Sequence, residues 1–256
     1  MIASSSLYIF IFAFVAMFGG ALIGIAAARA LPKHHLSTES AAVVKASAGV
    51  VVALTSLVLA LMLSAANSTF SVNAGIIKKL GSDLINLDHM LRIYGPEADK
   101  ARSALRAYAA RKNDELFSTS EAPSTANRET ADLLDGLLDA ILTLAPTDRR
   151  HGVLVSQALA STANIYAERW LLWESPGTTV PLPFLFVLIF WLALIFFSFG
   201  LFAPVNVTVL TSFFLSALAV AGSILMILEL GDPMHHTWIR VSGEPIRRAL
   251  LEIGRP

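Results

Sequence analysis

Cysteine is absent from the 256 residues, which removes disulfides, thiolate metal ligands and thiol catalysis together. An excess of charge of either sign is also absent, since 19 basic residues balance 19 acidic ones. A nucleic-acid surface would show a one-sided basic footprint, so no nucleic-acid partner is expected. No metalloprotease His-Glu-x-x-His, nucleophile elbow or phosphate-cradling glycine loop occurs, and with them go the familiar hydrolase and nucleotide signatures. The most telling absence is local. Ser175–Leu228 runs for 54 residues without Asp, Glu, Lys or Arg, and residues 1–28 and 46–77 are equally free of charge.

A hydrocarbon layer of about 30 Å is crossed by roughly 20 apolar helical residues. The long uncharged stretch therefore holds two crossings, Phe184–Phe202 and Val207–Leu230, parted by Ala203-Pro204-Val205-Asn206. Proline breaks a helix there and asparagine suits a turn. Leu7–Ala28 and Ala46–Ala66 supply two more. Backbone in lipid must satisfy its own hydrogen bonds, and none of these segments alternates as a barrel strand would, so all four are expected to be helices. Ala28-Arg29-Ala30 resembles a signal-peptide cleavage site, but Met1–Ser6 has no basic region and the apolar run is longer than a signal core. The first span is therefore read as an uncleaved helix.

Charge is concentrated elsewhere. Lys78–Glu174 holds 12 basic and 14 acidic residues, 26 of the 38 charges, and reads as a water-exposed domain. The expected order is spans one and two in 1–66, a helical domain in 67–182, a helical hairpin in 183–230 and a tail in 231–256. Lys78, Lys79, Arg169, Arg240, Arg247 and Arg248 flank the spans on the domain face, against Arg29, Lys33 and Lys45 on the other. That bias favours a cytoplasmic domain and cytoplasmic termini in an inner membrane.

Within 71–94, Ile76, Leu80, Leu84, Leu87, Leu91 and Tyr94 recur at steps of three and four, the stripe of an amphipathic helix. No breaker follows span two, so the transmembrane helix should continue into water until Gly95-Pro96 stops it. Further helices are predicted over Glu97–Phe117, with Ala101, Leu105, Tyr108 and Leu116 inward, and over Ser124–Leu144, with Ser118–Asn127 a loop between them. A last one, capped by Thr147, should run to about Trp173. No strand-like alternation appears, so the fold class is all-α: a polytopic membrane protein with four transmembrane helices and an inserted cytoplasmic helical domain.

On span two, Gly49, Ala53, Ser56, Ala60, Leu63 and Asn67 mark one face with small or polar side chains. Two readings fit it: a seam where helix backbones approach closely, or a pore lining whose hydroxyl and amide groups meet partly dehydrated ions. Ala16, Gly20, Gly24 and Ala28 on span one, and Ser212, Ser216, Ala219 and Ser223 on span four, form similar ridges and read as packing faces. If those are consumed by packing, span two is left as the pore helix. Lys45 at its far mouth can snorkel to water or ring an entrance. Glu229 is the one acid inside a span; at the cytoplasmic end of span four, pairing with Arg247, Arg248 or Arg240 is its expected role. Ser242 is a candidate cap for a final helix with Ile246, Leu250 and Ile253 on one face. The pairs His34-His35 and His235-His236 are read as interfacial polar residues, because neighbouring helical residues diverge by about 100° and chelate poorly. No cofactor, metal or enzymatic activity is expected.

Phe190-Trp191-Leu192, then Phe199-Gly200-Leu201-Phe202-Ala203-Pro204-x-Asn206, Leu228-Glu229-Leu230 and Ser242-x-x-Pro245-x-Arg247-x-Ala249-Leu250 resemble the signature of the bacterial bestrophin-like domain membrane proteins. The sequence departs after Leu230, where Gly231 and Asp232 precede Pro233 and Met234 stands in place of an aromatic residue. The resemblance implies similarity to bestrophins, pentameric ion channels whose second helix lines the pore. The expectation is thus a homo-oligomeric ion channel, a pentamer by analogy, whose partners are the lipid bilayer, its own copies and inorganic ions. The calcium clasp of animal bestrophins has no match here. The alternative is a membrane-anchored scaffold or signalling module whose helical domain binds a protein. A secondary transporter ranks below both, since no inverted repeat is visible.

Overall fold

The computed structural model describes residues 2–32, 36–117, 123–174, 182–232 and 239–253. The elements are α1 (Ile2–Ala30), α2 (Thr38–Tyr94), a 3-10 turn (Pro96–Ala98), α3 (Asp99–Phe117), α4 (Pro123–Leu142), α5 (Arg149–Glu174), α6 (Leu182–Leu201), α7 (Val207–Gly231) and α8 (Glu244–Ile253). No strand occurs among the described residues. Among the described residues four helices are long and apolar enough to cross a membrane: α1, α2, α6 and α7. The chain is an all-α membrane protein. The two histidine pairs and Lys33 lie outside the described residues.

The chain divides into two compact units, Met1–Phe70 with Gly177–Ile239, and Ser71–Pro176 with Arg240–Pro256. Helix α2 is continuous from Thr38 to Tyr94 and contributes to both, so the expected run-on past span two is present. Ser37 starts it, accepting from the Ser40 N–H at 3.2 Å. Gly95 ends it at φ 117, a left-handed conformation open to glycine and costly for residues with a Cβ.

In the first unit, α1, α6 and α7 share a core that includes Ala13, Met17, Ala21, Leu188, Leu192, Ala217 and Ala221. Small residues set the spacing. A Cβ added at Gly20 would lie 2.7 Å from the Ala193 carbonyl oxygen, and one at Gly24 or Gly200 would overlap the Phe197 or Ala21 carbonyl. The Gly20/Gly24 ridge of span one is therefore a packing seam against α6. The buried face of α7 is instead Ala217, Ala221 and Ile224, which leaves Ser212, Ser216, Ala219 and Ser223 exposed. The turn before α7 is closed by Asn206, whose Oδ1 accepts from the Val209 N–H at 2.8 Å.

In the second unit Leu80, Leu84, Leu87 and Leu91 of α2 are buried, joined by Ile77 rather than Ile76. Leu105 and Tyr108 of α3, Leu134, Leu137 and Ile141 of α4 and Ile165 of α5 complete that core. Two further expectations are corrected. Asp148, not Thr147, caps α5: its Oδ1 accepts from the His151 N–H at 2.7 Å, and a carboxylate at that end also complements the helix dipole. On α3 the inner stripe continues to Lys112, 2% exposed, while Leu116 is half-buried. Lys112 can sit inside because its Nζ lies 2.7 Å from Glu115 Oε1, and Glu115 Oε2 in turn accepts from Thr130 at 2.5 Å. Ser242 takes its predicted place before α8, accepting from the Glu244 N–H, and α8 buries Ile246, Ala249 and Ile253.

Candidate functional site

Helix α2 is the least covered of the four spans. In its most apolar stretch 11% of residues are buried, against 28, 39 and 33% in α1, α6 and α7. Its buried positions, Ala48, Thr55, Met62 and Ala66, repeat at steps of seven and four and so lie on one side of the helix. Gly49, Ala53, Ser56, Ala60, Leu63 and Asn67 lie roughly a third of a turn away, and all six are exposed. Val50, Leu54, Leu57 and Leu61 form a third, bulky apolar face, also exposed. The small-residue face is thus not spent on packing within the chain, unlike the Gly20/Gly24 ridge of α1.

The chemistry of that face is mild. The Ser56 hydroxyl donates to the Val52 carbonyl at 2.8 Å, which leaves its lone pairs to face outward as acceptors. Gly49 has open space where a side chain would be. Asn67 is exposed at the end of the stripe, and Lys45 is exposed two turns after the start of α2. No charged residue interrupts 46–77.

Glu229, near the end of α7, is 4% exposed. Arg247 belongs to the other unit and approaches Glu244 of its own helix at 3.3 Å, as Arg248 does at 3.7 Å.

The second unit holds an acidic pair that the sequence did not point to. Glu168 of α5 is 1% exposed, with Lys79 Nζ 3.2 Å from its carboxylate. Burial, joined by the neighbouring Asp83 carboxyl and offset only in part by Lys79, pushes Glu168 up to about 7. Among the described residues no cluster of three or more metal-ligating side chains is present.

Residues 15–236 match a family described as the bestrophin-like domain. Among solved structures, a mutant bacterial bestrophin homologue from Klebsiella pneumoniae shares the fold with a TM-score of 0.58 at 16% identity, covering 96% of this chain and 99% of that one. No curated protein matches the sequence.

Proposed function

Since this chain belongs to the bestrophin-like domain family, we propose that it is a homo-oligomeric ion channel of a bacterial inner membrane. Gly49, Ala53, Ser56, Ala60, Leu63 and Asn67 line the pore, contributed once by each copy around a common axis. The 71–94 continuation of α2 forms a cytoplasmic neck, and Lys45 rings the opposite mouth. The observation that carries the reading is the uncovered stripe on α2. Small side chains leave width for a permeating ion, and a lipid-facing helix would gain more from bulky apolar groups at those positions. The apolar Val50/Leu54/Leu57/Leu61 face beside it is suited to a neighbouring copy or to acyl chains.

Ion flux from liposomes holding the purified protein tests this, with chloride and potassium gradients applied separately. Flux above that of protein-free liposomes is expected. Ser56→Trp or Ala60→Trp should abolish it while leaving assembly intact, because an indole from every copy would crowd the axis. Flux unchanged in both variants would remove this helix from the pore. No flux from folded, oligomeric protein would favour the membrane-anchored scaffold instead.

A further inference from the structure

The chain passes between the two units at residues 70–71, 176–177 and 239–240. Within the second unit, α5 runs antiparallel to the outer part of α2: the His151 ring lies 4.8 Å from that of Tyr94, and the Glu168 carboxylate 3.2 Å from Lys79 Nζ. Trp170 and Leu171, two and three residues past Glu168, are therefore level with Ile77 and Ile76 of α2. Pro245, in the first turn of α8, meets Gly81, where an added Cβ would lie 2.8 Å from its carbonyl oxygen. The end of α5 and the start of α8 thus both flank the 76–81 segment of α2, and all three passages lead from this end of the unit.

Length fixes where that segment stands against lipid. The uncharged run 46–77 of α2 extends about 48 Å at 1.5 Å per residue, and a bilayer with its headgroup layers is about 40–45 Å thick. Lys78, the first charge after the span, stands at the outer face of the headgroups, and Trp170 and Leu171 stand just within it.

The side chains exposed at this level match that layer. Trp170 and Leu171 on α5 and Val72 on α2 are large apolar groups open to the surroundings, and indole rings settle among headgroups. Lys78, Arg240, Arg247 and Arg248 are exposed as well. Of the acids nearby, Glu168 is buried against Lys79 with the half-buried Asp83 beside it, and Glu244 approaches Arg247 and Arg248 at 3.3 and 3.7 Å. Cations outnumber acids at this end. Apolar side chains beside an excess of cations are complementary to a negatively charged lipid surface. We propose that this end of the second unit docks on anionic phospholipid. Trp170 and Leu171 enter the headgroup layer, while Lys78, Arg247 and Arg248 meet lipid phosphates around α2. The inference rests on the membrane spans and not on conduction.

Because the chain has no cysteine, Leu171→Cys carries a single bimane fluorophore on the full-length protein. In phosphatidylcholine vesicles holding a nitroxide-bearing lipid, labelled phosphatidylglycerol should quench it at a lower mole fraction than labelled phosphatidylcholine. Lys78→Gln should raise the phosphatidylglycerol fraction needed about five-fold, the worth of one cation at an anionic surface. Adding Arg247→Gln and Arg248→Gln should erase the preference. Bimane at Gln157→Cys, exposed on α5 and about 21 Å farther from the membrane, should escape quenching by either lipid. Size-exclusion profiles identify folded variants, and Trp170→Cys gives the same reading from the neighbouring position. Absence of quenching at 170 and 171 would put this end in water or against another subunit and overturn the proposal. Equal quenching by the two lipids, or a preference that survives the triple substitution, would overturn it too, since no charge is then recognised.

Discussion

Lys112 shows how a charge is kept inside a helical unit. Burial holds its ammonium below the ordinary lysine range, and Glu115 opposes that shift. Removing the cation alone by Lys112→Ala would leave the Glu115 carboxylate, 12% exposed, bonded only through Thr130. A loss of about 3 kcal/mol in unfolding free energy is expected, read by chemical denaturation. The double variant Lys112→Met, Glu115→Gln should recover most of it, since no charge is then left buried. Glu168 makes the second unit sensitive to pH. Its folded value of about 7 lies above the ordinary 4.5, so the folded state holds the proton more tightly. That contribution is fully present below pH 4.5, declines as pH rises and is gone above 7; it amounts to no more than about 3 kcal/mol. Melting curves between pH 4.5 and 8 should show wild type losing stability relative to Glu168→Gln across this interval. Parallel curves would show that Glu168 titrates normally.

At the scale of elements, the α1–α6 contact is set by glycine. Gly24→Ala would drive a methyl group into the Phe197 carbonyl, whereas Gly19→Ala on the same helix meets nothing within 4 Å. The first should cost about 1–3 kcal/mol as the helices part and lower the melting temperature in detergent. The second should be close to neutral, and equal melting temperatures for the two would contradict this packing. Helix α2 behaves differently. Its 57 residues extend about 85 Å at 1.5 Å per residue, far more than a bilayer requires. What supports it changes along its length. The Leu80–Leu91 portion lies in a buried core, while the span portion presents two open faces.

For the whole molecule, those open faces are the reason to expect several copies around one axis. The absence of cysteine gives a clean way to find which face meets water. Single replacements Ala53→Cys and Ala60→Cys should react with a charged, membrane-impermeant thiol reagent and lose flux on reaction. Leu57→Cys and Leu61→Cys, on the bulky face, should be protected. Equal reactivity of all four positions, or none, would count against a pore along the small-residue stripe.

The sequence by itself determined the four spans, the all-α class and the run-on of α2. Charge-free length and helical period are properties of the chain in lipid and need no neighbour to express them. It also marked Gly20 and Gly24 as a seam, because small residues at one-turn spacing are visible directly. Only the tertiary structure separated the faces of α2, since three different surroundings meet one helix whose period repeats for all of them. The same limit hid Thr55 among apolar residues and Glu168 among ordinary surface charges, and led the α3 stripe to Leu116 instead of Lys112. Burial of a polar side chain depends on what is brought beside it: Glu115 and Thr130 beside Lys112, and Asp83 and Lys79 beside Glu168.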